Sequence, residues 1–142
     1  MSHRPFSKPV ALSPVAQLRH GIVNPLGNLI GYAELIQDEA VESGLTEAAE
    51  IAGKLKVCAF DLADRVRILL PSSSPPGARP EPPPSRFLDS GGELATWIVQ
   101  LRRQGELAIR EPRLLEDVSR LEHAHVEVME LLSRWMEMSR EG

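Results

Sequence analysis

Between positions 71 and 86 the chain reads Pro-Ser-Ser-Ser-Pro-Pro-Gly-Ala-Arg-Pro-Glu-Pro-Pro-Pro-Ser-Arg, seven of its twelve prolines in one stretch. Proline fixes φ and offers no backbone N–H, so neither helix nor sheet is expected through this block. The chain is thereby divided in two, with an extended, polyproline-like linker at residues 71–86 that could run about 40 Å at roughly 3.1 Å per residue. Residues 1–10, broken by Pro5 and Pro9, read as a flexible lead-in. The folded segments are therefore expected at residues 11–70 and 87–142.

Both segments carry helical periodicity. Ser13-Pro14 is a helix start, with a hydroxyl able to cap free backbone N–H groups and a proline at the first helical position. From there Val15, Leu18, Ile22, Leu26, Leu29, Ala33, Ile36 and Ala40 step by three or four residues, an amphipathic helix of about eight turns that ends near Ser43-Gly44. Pro25 lies inside it and should bend it. Thr46, Glu47 and Glu50 open a second helix, whose apolar stripe is Ile51, Leu55, Cys58, Leu62, Val66 and Leu69. The short Gly44 connection implies an antiparallel hairpin.

Beyond the linker, Leu94, Trp97, Ile98, Leu101 and Ala108 mark a third helix, interrupted near Gly105 and ended before Pro112. Leu114, Val118, Leu121, His125, Val128, Leu132 and Trp135 then alternate steps of four and three, as a coiled-coil seam does. The fold class is all-α, two antiparallel helical hairpins with no strand. A two-helix hairpin buries too little apolar surface to stand alone. It must pair with its copy in a homodimer or, alternatively, with the second hairpin in an intramolecular four-helix bundle.

Composition narrows the function classes. A net charge of −4 argues against a nucleic-acid binder, which needs a basic face for phosphates. The single cysteine, Cys58, excludes an internal disulfide and a cysteine-based zinc site, and no cofactor motif is visible. No apolar run approaches the roughly 20 residues that span a bilayer, and the N-terminus lacks a signal-peptide core. No membrane association and a cytoplasmic location are the expectation.

His20 stands out on the first helix. At about 100° per residue, Leu18 and Ile22 share one apolar sector, and His20, midway between them, points away from it. Ser13, Gln17, Asn24, Gly27 and Gly31 project on roughly the same side. They leave small and polar side chains around the imidazole, a surface that a partner could approach closely. A neutral imidazole is a competent nucleophile near pH 7. Glycines at 27 and 31 each cost about 1 kcal/mol relative to alanine in a helix interior, which suggests that close approach has value there. A lone exposed histidine on a helix is most often an ordinary surface residue, so its sequence context has to decide.

That context is Leu18-Arg19-His20-Gly21-Ile22-Val23-Asn24-Pro25-Leu26, followed by Gly31-Tyr32-Ala33-Glu34-Leu35-Ile36. It resembles the phosphoacceptor helix of the dimerisation and histidine-phosphotransfer (HisKA-type) domain of two-component sensor histidine kinases. The family pattern is histidine, an acidic residue, two variable positions, Thr or Asn, Pro, Leu, then Gly-Tyr-x-Glu-Leu. The likeness extends from Leu18 to about Leu70. It implies a homodimeric bundle, His20 as phosphoacceptor and Asn24 at the position that helps orient water for dephosphorylation. The docking face for a response-regulator receiver domain or a histidine kinase would include Gln17, Gly21, Gly27 and Gly31.

Two departures matter. Gly21 stands where the family places a general-base carboxylate, and glycine cannot accept a proton. No Gly-rich nucleotide motif follows residue 70, so a phosphorelay component without kinase activity is expected rather than a kinase. The alternative is a non-catalytic regulatory module, or a coiled-coil adaptor, with a degenerate site.

Other clusters read as structural. His123 and His125 sit about 200° apart on a helix and cannot chelate one ion together. His125 falls in the apolar seam, whereas His123 points outward. Asp38, Glu39 and Glu42 read as a solvated face, and Arg65, Arg67, Arg102 and Arg103 are too sparse for an anion site. Trp97 and Trp135 read as packing anchors.

Overall fold

The computed structural model describes residues 13–71, 77 and 79–140. The lead-in at residues 1–10 and part of the polyproline expectation, residues 72–76 and 78, lie outside the described residues. Four helices are present: α1 (Pro14–Glu42), α2 (Thr46–Leu69), α3 (Ser85–Leu107) and α4 (Pro112–Arg140). No strand occurs among the described residues.

The helix ends follow from local chemistry. Ser13 Oγ accepts from the Ala16 N–H at 3.1 Å, and Pro14 takes the position where an N–H would be unpaired anyway. At the far end Gly44 adopts φ 72°, which lets the Leu45 N–H reach back to the Ala40 carbonyl at 2.7 Å and the Gly44 N–H to Val41 at 3.2 Å. This left-handed reversal closes α1 and starts α2 within a few residues. α1 runs as one helix through Pro25, whose ring is buried.

Ser85 and Arg86, read from sequence as linker, instead form the first turn of α3 directly after Pro84. Nor is α3 interrupted at Gly105. That residue is buried inside the helix, where an added Cβ would lie 2.9 Å from Leu115 Cδ2. Glycine there permits α3 and α4 to approach closely.

α1 packs on α2 and α4, and α3 packs on the same two helices, so α1 and α3 occupy opposite corners of a four-helix bundle. The contacts give the direction of each pair. Gln37 meets Lys56, Cys58 meets Ser90 while Lys54 meets Trp97, and Gly91 meets His125 while Arg102 meets Glu122. All adjacent helices are therefore antiparallel. α2 ends where α3 begins, so the linker need not run the length of the bundle.

One core joins both hairpins: Leu26, Leu29 and Ile36 of α1, Leu55 and Leu62 of α2, Leu94 and Leu101 of α3, Leu121 and Leu132 of α4 are all buried. Each such side chain contributes about 1.5–3 kcal/mol by leaving water. The intramolecular pairing thus covers both apolar stripes, and a second copy is not needed to complete the bundle. At the linker end Trp135 packs edge-on against Phe87 at 5.4 Å, with the rings at 81°. Its indole N–H donates to the Glu81 carbonyl at 2.6 Å. Leu70 and Pro80 are buried, which ties both ends of the linker to the bundle.

Candidate functional site

The outward stripe of α1 carries the candidate site. Gln17, His20, Asn24, Gly27 and Gly31 are all exposed, while Leu18, Ile22, Leu26 and Leu29 are buried on the opposite side. Among the described residues, a Cβ built on Gly27 or Gly31 would meet nothing within 4 Å. Neither glycine is explained by packing among the described residues, and both are exposed on the helix beyond the histidine.

His20 and Asn24 are one turn apart, and Asn24 Nδ2 lies 3.2 Å from His20 Nε2. An amide nitrogen only donates, so this contact is a hydrogen bond when Nε2 carries a lone pair and the ring proton sits on Nδ1. In that tautomer Nε2 is the nucleophilic nitrogen. Pro25 follows immediately and offers no N–H to the Gly21 carbonyl.

Charged side chains are few along the first half of α1. Along α1 the first acidic residue is Glu34, and Arg19 is the one charged side chain before it. Arg19 is half-buried, and its Nε is buried with no hydrogen-bond partner among the described residues. From α4, Arg134 lines a small depression with Gln17, Leu18 and Leu131. Sequence reasoning missed Arg134 because only the docking of α4 on α1 brings it there.

Gly21 does not belong to the open strip. It faces α4, where an added Cβ would touch Leu131 Cδ1 at 3.5 Å. The step of about 100° between residues 20 and 21 rotates it off the outward line, so its value is in helix packing. Glu39 likewise departs from the solvated face expected for it. It turns toward Asp117 of α4, and its carboxyl is raised by partial burial and by the neighbouring Asp117 carboxylate. Asp117 is itself buried and pairs with Arg120 at 2.8 Å.

The Glu122–His125 segment disperses its side chains. Glu122 takes Arg102 in a two-pronged bridge at 2.6 Å, and exposed His123 lies 3.4 Å from Glu127. His125 Nε2 lies 3.0 Å from the Gly91 carbonyl and donates to it. No group of metal-ligating side chains is assembled among the described residues. None of their helices is long and apolar enough to cross a membrane. Comparison with protein-family models, curated proteins and solved structures finds no match.

Proposed function

We propose that the chain is a two-component signalling protein without kinase activity. In this reading a receiver domain or histidine kinase docks on the outward face of α1, and His20 carries a phosphoryl group. One observation carries the reading: an exposed imidazole whose Nε2 lies 3.2 Å from the Asn24 amide nitrogen, on the same outward side of α1 as the open positions Gly27 and Gly31.

The chemistry follows from that geometry. The Nε2 lone pair attacks the phosphorus of a partner's aspartyl phosphate as the P–O bond to the carboxylate breaks. The carboxylate leaves with the bonding pair, and the Nδ1 proton passes to solvent as the phosphoimidazole forms. Asn24 occupies the lone pair at rest, so it must swing aside as the phosphoryl group arrives. It can then donate to a phosphoryl oxygen. Any magnesium ion would belong to the receiver partner.

The test is transfer of label from a phosphorylated receiver to the full chain. Acid-labile, alkali-stable label should appear and be absent from His20→Gln. Equal labelling of that variant refutes the assignment.

A second reading draws on Gly21, which leaves His20 without an adjacent carboxylate. There the same face binds a receiver or kinase and regulates it without carrying phosphate. Binding with no label, abolished by Gly27→Arg, would favour it.

A further inference from the structure

The residues that lead into α3, Arg79-Pro80-Glu81-Pro82-Pro83-Pro84, are neither helix nor strand. Arg79, Glu81, Pro82 and Pro83 each directly precede a proline, which holds their backbone in the extended region, and Pro84 itself has φ −58° and ψ 146°. A polyproline II helix has three residues per turn, so Pro80 and Pro83 share one face. Burial follows that period. Pro80 is buried and Pro83 half-buried, as is Pro84 where the helix begins, whereas Arg79, Glu81 and Pro82 are exposed. Between Pro80 and Pro82 the Glu81 carbonyl accepts the indole N–H of Trp135 at 2.6 Å, from a side chain only 1% exposed. Phe87 stands edge-on to that ring.

We infer that this end of the bundle is a polyproline-binding site for a Pro-x-x-Pro turn, filled in cis by the chain's own Pro80–Pro83. A polyproline turn makes no internal hydrogen bonds, so its carbonyls need donors from outside. Trp135 supplies one, and its ring and that of Phe87 supply the aromatic surface on which such turns dock. The proline-fixed backbone loses little freedom on binding, so a few contacts suffice to hold it. A segment that merely connected two helices would have no reason to bury one prolyl face at a period of three. Occupancy latches the start of α3 to the end of α4. The site uses no residue of the outward face of α1, so it stands apart from the phosphotransfer reading.

The test follows the Trp135 indole proton of the full chain by NMR, with Trp97→Phe to assign it. Pro80→Ala and Pro82→Ala each remove one proline and free one φ, so they loosen the tether alike and differ only in the face they alter. Pro80→Ala should speed exchange of the indole proton with water about ten-fold or more, and Pro82→Ala less than about two-fold. A synthetic peptide of residues 79–86, at a concentration of several millimolar to rival a tethered segment, should restore slow exchange in Pro80→Ala. The same peptide carrying Pro80→Ala and Pro83→Ala should not. Should circular dichroism show Pro80→Ala unfolded, Pro83→Ala repeats the comparison at the other proline of the buried face. Equal exchange in the buried-face and Pro82→Ala variants, or restoration by both peptides or by neither, would each overturn the inference.

Discussion

Replacing both open glycines of α1 by alanine should make the protein more stable and no better at its task. Glycine inside a helix is about 0.8–1.0 kcal/mol less favourable than alanine, because it loses more backbone freedom on folding. At Gly27 and Gly31 nothing lies within 4 Å of an added Cβ, so no steric term opposes that gain. The sites are one turn apart with methyl groups in solvent, and the effects should add to about 1.5–2 kcal/mol. With an m-value near 2 kcal/mol/M, the urea midpoint of Gly27→Ala/Gly31→Ala should rise by roughly 0.8–1 M. Helical ellipticity at 222 nm followed through a urea titration measures it. Gly105→Ala is the internal contrast. Its Cβ would stand 2.9 Å from Leu115 Cδ2 and 3.2 Å from Leu115 Cγ, so the Leu115 contact would have to shift. That variant should lose about 1–3 kcal/mol through overpacking. If the α1 double variant is destabilised, or ranks with Gly105→Ala, the outward strip is covered by something and the reasoning about an open docking face fails.

Other outcomes follow from the packing. Trp135→Ala removes the largest fully buried side chain, its ring contact with Phe87 and the bond to the Glu81 carbonyl, and should cost about 3–5 kcal/mol in chemical denaturation. Trp135→Phe should lose less, because the ring contact survives in part. Glu39 binds its proton more tightly in the folded chain than at the ordinary 4.5, so this group favours folding most at low pH. Its penalty develops as pH rises through the raised value. Glu39→Gln should therefore raise the melting temperature at pH 7, and the gain should vanish below about pH 4. Arg102→Ala breaks a two-pronged bridge to Glu122 that is about one-third exposed, and should cost roughly 0.5–1 kcal/mol, diminishing in high salt.

The helices were legible because one period dominates each half. Leu18, Ile22, Leu26 and Leu29 identify the buried side of α1, and the same arithmetic turns His20 outward, as found. The all-α class and both hairpins follow from such spacing, with short turns at Gly44 and before Pro112. What could not be read is which surface meets which. Arg134 beside Gln17, Glu39 against Asp117 and Trp97 under Lys54 each join residues far apart in sequence. A one-dimensional pattern carries no information on such meetings. Gly21 was misplaced for a subtler reason, since one residue along a helix rotates the side chain by about 100°, enough to move it from open surface to a neighbour's flank. The start of α3 was placed late because the sequence bias of the proline block extends to Pro84, whereas helix geometry tolerates proline just before its first turn.

The tether between α2 and α3 has a thermodynamic meaning. Joining two hairpins through a short chain segment converts their meeting from a bimolecular event into an intramolecular one, at a local concentration of order millimolar. Assembly of the bundle is thereby freed from how many copies a cell holds. A protein present at a few molecules per cell would be as fully folded as one made in abundance, and its unfolding midpoint should not move when the sample is diluted.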